Sequence, residues 1–136
     1  MTNRELLMLD LCCRLPYNTT VKLTSLNEEN GYSYDLPLTE KIFSFMGQYD
    51  IKPYLVPMYD MTDEQQIEAS KILDARGYEI SEFGDIQSSK LIYDDIAYVN
   101  IENIAAYIDW LNRNDFDYRG LIKLGLAVNK KTLKQE

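Results

Sequence analysis

An α+β fold in a single domain, with a small and mostly antiparallel sheet packed against three to four helices, is the class this sequence predicts. Three observations carry it. Segments with the 3.6-residue period of helices and the two-residue period of strands are mixed along the chain without repeating a strand-helix-strand unit, which argues against a wound parallel sheet. At 136 residues and 46% hydrophobic, the chain can bury a substantial core without disulfide or metal staples. Eleven tyrosines, four phenylalanines and one tryptophan give 12% aromatic content, well above what a disordered chain carries.

The elements follow in order. Thr2 and Glu5 stand at the spacing of a capping box, and the apolar run Leu6 to Leu15 follows, so the first helix spans Asn3 to about Arg14. Pro16 stops it. Beyond the turn at Tyr17-Asn18-Thr19, the segment Thr20-Val21-Lys22-Leu23-Thr24 alternates in polarity as a half-buried strand does. Asn27 to Gly31 reads as a hairpin-type loop, and Tyr32 to Leu36 and Lys41 to Met46 read as extended, with Pro37 interrupting the pattern. Ile51 to Met58 is a further strand. Pro53 and Pro57 each remove a ladder donor from it, which assigns it to a sheet edge or a bulge.

A second helix starts at Thr62, which caps it while Gln65 reaches back; Asp63 and Glu64 suit the dipole of the first turn. Ala69, Ile72 and Leu73 form its inner face, and Gly77 suits a left-handed C-terminal cap. Tyr78 to Phe83 reads as a strand, Gly84 to Lys90 as a polar loop, and Leu91 to Val99 as an apolar segment. In the third helix Ile101, Ile104, Ala105, Ile108 and Leu111 recur at helical spacing, flanked by Tyr107 and Trp110, with Asn100 as cap. A polar turn at Arg113-Asn114-Asp115 leads into a last helix from Phe116 to Leu124, closed by Gly125. Residues 1–129 form one α+β domain, and 130–136 a flexible basic tail that frays.

Charge is unevenly spread. The formal net charge is −8, but from Arg113 onward Arg113, Arg119, Lys123, Lys130, Lys131 and Lys134 outweigh Asp115, Asp117 and Glu136, giving +3 there and −11 over residues 1–112. An acidic body argues against a surface made to coat duplex DNA or an acidic membrane. Cys12 and Cys13 are adjacent on a helix and cannot bridge without strain, so free thiols are expected. The segment Met1-Thr2-Asn3-Arg4-Glu5 has no apolar signal run, and no stretch approaches the ~20 residues that span a bilayer. A cytoplasmic protein is expected, with no membrane association.

A resemblance adds to this reading. The segments Arg14-Leu15-Pro16-Tyr17, Lys52-Pro53-Tyr54-Leu55 through Met61-Thr62 and Glu64, Asp109-Trp110-Leu111-Asn112, Phe116-Asp117-Tyr118-Arg119-Gly120-Leu121-Ile122 and Gly125-Leu126-Ala127 resemble, in this order, those of a family of short proteins from gut Bacteroidetes and their phages or integrated elements. The resemblance implies a bacterial cytoplasmic setting and prophage ancestry. It brings no catalytic residues with it.

The chemistry-bearing residues are few. Without histidine, and with no glycine-rich phosphate loop, most recognisable catalytic and metal-binding patterns are ruled out. Asp94-Asp95, Glu28-Glu29 and Asp115 with Asp117 lack the spacing of a calcium loop and read as solvated charge. Cys12 and Cys13 lack a histidine base and read as buried structural thiols. No catalytic residue, metal ligand or cofactor is expected. In Asp117-Tyr118-Arg119-Gly120, a guanidinium beside a tyrosine can clamp a carboxylate, phosphate or base. Equally, Asp117 can cap the last helix, Tyr118 can pack on Trp110, and Arg119 can pair with Asp109 or Asp115.

The function expected is that of a non-enzymatic accessory protein of a mobile element. It binds a protein partner through a tyrosine-bearing sheet surface, among Tyr32, Tyr34, Tyr49, Tyr54 and Tyr59, or through the C-terminal helix pair. The candidate binding residues are Trp110, Tyr118, Arg119, Lys123 and Tyr54. The alternative is nucleic-acid binding through Arg119, Lys123, Lys130, Lys131 and Lys134, as a helix-turn-helix reader, or an acidic imitation of DNA. Homo-oligomerisation stays open.

Overall fold

Helix α1 (Asn3–Arg14) opens the fold, held at its start by the Glu5 amide donating to Thr2 Oγ1 at 3.1 Å. The computed structural model describes residues 1–27, 32–73, 78–80, 86–88 and 101–135. After α1 come β1 (Thr20–Ser25), β2 (Ser33–Pro37), β3 (Tyr49–Leu55), α2 (Asp63–Leu73), the hairpin β4 (Tyr78–Ile80) and β5 (Ile86–Ser88), α3 (Ile101–Arg113) and the two-residue β6 (Val128–Asn129). The class is α+β. Four strands form one sheet in the order β2-β1-β3-β6, antiparallel except for the parallel β3-β6 pair.

The described residues fall into two compact units, Met1–Val56 with Arg119–Glu136, and Pro57–Tyr118. In the first, Leu7 and Leu11 of α1 join Val21, Leu23, Ile51 and Leu55 of the sheet, with Leu38, Ile42, Leu121 and Ala127, in one buried cluster. Directly opposed strand residues share a face, so the register Leu23↔Ile51 sets the core side of the sheet. Lys22, Asp35, Asp50 and Lys52 lie on the other side.

Strand β3 corrects the expectation of an edge. It lies inside the sheet, between β1 and β6. The Leu26 amide donates to Gln48 O at 3.1 Å, which fixes the phase of the β1-β3 ladder: even-numbered residues of both strands exchange hydrogen bonds, and Val21↔Pro53 is a non-hydrogen-bonded pair. The nitrogen of Pro53 therefore turns away from β1. On its other side β6 pairs only with Tyr54 and Leu55, so the missing donor breaks no ladder.

Other expectations also give way. Residues Glu40–Phe45 form a 3-10 helix instead of a strand, with Ser44 Oγ donating to Lys41 O at 2.6 Å. Ile86–Ser88 pairs as a strand where a polar loop is expected. The expected cap Gly77 and the segment 91–99, with Asn100, lie outside the described residues.

The second unit is built on α2 packed against α3. Here the capping box is complete: the Gln65 amide donates to Thr62 Oγ1 at 3.1 Å and the Thr62 amide to Gln65 Oε1 at 2.9 Å. Ala69 and Leu73 are buried on α2, while Ile72 is half-buried. On α3 the inner face is Tyr107, Trp110 and Leu111, not the predicted isoleucine stripe. Ile104 and Ile108 are 36% and 38% exposed. The aromatic rings win the interior because they bury more area, and Asn103 Nδ2, on the same side, donates to Leu73 O at 3.2 Å.

The largest departure lies after α3. The Asp115 amide donates to Asn112 O and the Phe116 amide to Leu111 O, a Schellman closure in which Asp115 takes the left-handed conformation at φ 61°. No helix spans 116–124. Gly120, also left-handed, interrupts the chain, and a second Schellman closure at Leu121–Leu126 places Gly125 at φ 76°. The second helix required for a helix-turn-helix is therefore absent from this segment. Where a frayed tail is expected, Lys130–Gln135 winds in 3-10 turns, and Asn129 Oδ1 accepts from the Lys131 amide at 3.0 Å.

Candidate functional site

Arg119 is the residue for which the sequence offers a binding role and a structural one, and the structure gives it partners on α1. Its Nε lies 3.4 Å from Asp10 Oδ1, and its Nη2 donates to Cys13 Sγ at 3.3 Å. Asp10 in turn receives Arg14 Nε on Oδ2 at 2.8 Å, and both of these side chains are fully buried. One turn of α1 thus aims a carboxylate and a guanidinium inward at i and i+4, and Arg119 arrives from the returning chain to the carboxylate's other oxygen. Burying a charge costs several kcal/mol unless it is paired, and this arrangement surrounds one anion with two cations. Asp10 and Cys13 are partners of Arg119 that the sequence does not suggest.

The remaining candidates have separate partners. Trp110 is buried and stacked on Tyr107 at 6.1 Å and on Phe116 at 5.5 Å. Tyr118 donates from its hydroxyl to Asn112 Oδ1 at 2.9 Å. Tyr54 is buried and donates to Asp35 Oδ1 at 2.5 Å; burial, then the hydrogen bond to this carboxylate and its negative charge, push the phenol up to about 12. Lys123 is exposed. Trp110 and Tyr118 belong to one unit, and Tyr54, Arg119 and Lys123 to the other. Asp117 is buried where solvated charge is expected, and Cys12 is exposed where a buried thiol is expected. An open apolar groove along α1, lined by Arg4, Glu5, Met8, Leu9 and Cys12, includes none of the five candidates.

The feature that stands apart is the edge of the four-stranded sheet. Every residue of β2 is exposed, and among the described residues no strand lies beyond it. The Ser25 amide donates to Tyr32 O at 3.1 Å and the Leu38 amide to Thr19 O at 2.8 Å. Even-numbered residues of β2 therefore spend their backbone groups on β1. Asp35 and Pro37 turn theirs away from β1, so the absent donor of Pro37 costs no bond to β1. Tyr32, Tyr34 and Leu36 stand on the core side of the sheet beyond the reach of the core, at 57%, 51% and 39% exposure.

Comparison with protein-family models, curated proteins and solved structures gives no match.

An edge of this kind is a place where a partner strand can add, flanked by exposed side chains that bury area at low entropic cost. Ser33, Asp35 and Leu36 were not among the sequence candidates. Their signal was present in the alternation Tyr32-x-Tyr34-x-Leu36 that ends at a proline. What the letters lacked was the phase that tells which backbone groups are left over.

Proposed function

We propose that this protein is a non-enzymatic interaction module that binds a protein partner by adding a strand to the β2 edge. The observation that carries this reading is the fully exposed β2, with the backbone of Asp35 turned away from β1 beside exposed Tyr32, Tyr34 and Leu36. The internal engagement of Arg119 with Asp10 and Cys13 supports it by giving that side chain a structural task. The C-terminal helix pair is not offered as the surface, because 116–124 is not a helix. The resemblance of the Asp109 to Ala127 motifs to proteins of Bacteroidetes phages and integrated elements favours an accessory role in such an element.

Photocrosslinking tests the reading. A photoreactive phenylalanine analogue at Tyr34 is expected to join the chain to one segment of an identified protein, and Leu36→Lys, on the exposed face of the same strand, is expected to abolish the product. The same analogue at the exposed Leu124 serves as control. Crosslinking that is equal at both positions, or indifferent to Leu36→Lys, contradicts the edge as the binding surface.

A further inference from the structure

We infer that the partner strand added to β2 runs antiparallel to it and carries a lysine or arginine opposite Asp35, between two apolar residues. The inference rests on the strand-addition reading above and names the chemistry of the segment that adds.

Direction follows from what one outward-turned residue can do. In an antiparallel pair a single residue exchanges both of its backbone bonds with one residue of the partner, whereas a parallel pair spreads them over two partner residues and needs a longer run of outward-turned backbone. Pro37, two residues beyond Asp35, has no amide to give such a run. An antiparallel strand takes its register from the amide and carbonyl of Asp35 alone, which are turned away from β1.

Charge follows from the side chain of the same residue. Asp35 is exposed on the face of the sheet away from the core. The Tyr54 hydroxyl reaches across β1 and donates to its Oδ1 at 2.5 Å, which orients the carboxylate. Because that phenol is pushed up to about 12, it keeps its proton at neutral pH and remains a donor. Among the described residues no cation forms an ion pair with Asp35: Lys22, opposite it on β1, does not close on it, and Lys52 goes to Asp50 at 3.7 Å. The carboxylate is therefore held in place by a neutral donor with its charge unmatched, at the position an incoming strand meets first.

Distance decides the sign of the residue that faces it. Strands lie ~4.8 Å apart, so a side chain opposite Asp35 on the added strand stands one spacing from the carboxylate and about two from the Lys22 ammonium, and the nearer attraction outweighs the farther repulsion. The two neighbours of that basic residue point to the other face, opposite Tyr34 and Leu36, whose exposed side chains are covered there by apolar ones. Backbone bonds thus supply the attachment, and Asp35 with Tyr34 and Leu36 supplies the selection.

Three synthetic peptides of sequence Thr-Val-X-Val-Thr, with X as Lys, Thr or Glu, test this by titration into the full chain, followed through the backbone NMR resonances of β2. The lysine peptide is expected to bind roughly fivefold more tightly than the glutamate peptide, as cross-strand charge pairs allow, with the threonine peptide between them. Asp35→Asn, which keeps an oxygen for the Tyr54 hydroxyl, is expected to bind all three alike, and circular dichroism confirms that it is folded. Three peptides that shift β2 equally in the wild-type chain overturn the choice of a basic residue and leave strand addition standing. A preference for lysine that survives Asp35→Asn also overturns it, since the selection then comes from elsewhere. If no peptide shifts β2 even at millimolar concentration, the strand-addition reading falls and this inference with it.

Discussion

The carboxylate of Asp10 is shared between two arginines, Arg14 at 2.8 Å from its own helix and Arg119 at 3.4 Å from the returning chain. These contacts tie the start of the first unit's sequence to its C-terminal portion, and the asymmetry of the pairing decides what each substitution costs. Asp10→Ala leaves the fully buried Arg14 without its anion and is expected to destabilise by about 3–5 kcal/mol. Arg119→Ala removes a partly exposed partner at longer range and is expected to cost about 1 kcal/mol. Urea unfolding of the two variants and of the double variant measures this, and the effect of Arg119→Ala should shrink once Asp10 is gone. An Asp10→Ala no worse than Arg119→Ala would contradict the pairing.

Tyr54 makes stability depend on alkaline pH. Its folded-state pKa is raised, from 10.0 to about 12, so the fold favours the protonated phenol. That contribution is full below pH 10 and is lost as pH rises through about 12. Screened by nearby solvent, its size is on the order of 1 kcal/mol. Chemical denaturation of wild type and Tyr54→Phe at a series of pH values should show wild type losing this increment across the window and the variant lacking that share of the slope. Parallel curves would mean that the fold does not hold the phenol in its protonated form.

Gly125 closes the turn after Leu121 at φ 76°, and a Cβ there would meet nothing within 4 Å. Gly125→Ala therefore tests conformation alone. It is expected to lower stability by about 1 kcal/mol, the cost of the left-handed region for an L-residue, with Gly125→Asn intermediate. A thermal-unfolding series of the three proteins ranks them, and an alanine variant equal to wild type would place the loss elsewhere.

What could be read in the letters was mostly local. The Thr2 cap and the Thr62/Gln65 box start α1 and α2 where their spacing says, because each signal lies within one turn of chain. Inward charge was not legible: nothing in the run Leu6 to Leu15 says that Asp10 and Arg14 turn inward to pair with each other, or that a distant Arg119 approaches the same carboxylate. The stretch after Arg113 has helical composition, yet Asp115, Gly120 and Gly125 each adopt positive φ, and two turns close before a helix can grow. Pro53 looked like an edge marker because its effect depends on ladder phase, which the Leu26 to Gln48 hydrogen bond sets and no spacing within β3 reveals. The same missing phase hid Asp35, so the alternating tyrosines were visible as a surface while the outward turn of the backbone between them was not.

Amide hydrogen exchange resolved at single residues tests the open edge most directly. In the chain alone the amides of Tyr34 and Leu36, bonded to β1, should exchange slowly, and that of Asp35, facing outward, quickly. Adding the crosslinked partner should slow Asp35 and leave Tyr34 and Leu36 as they were. Equal protection of all three in the chain alone would mean that the edge of β2 is already covered, and equal rapid exchange would mean that β2 is not paired as described.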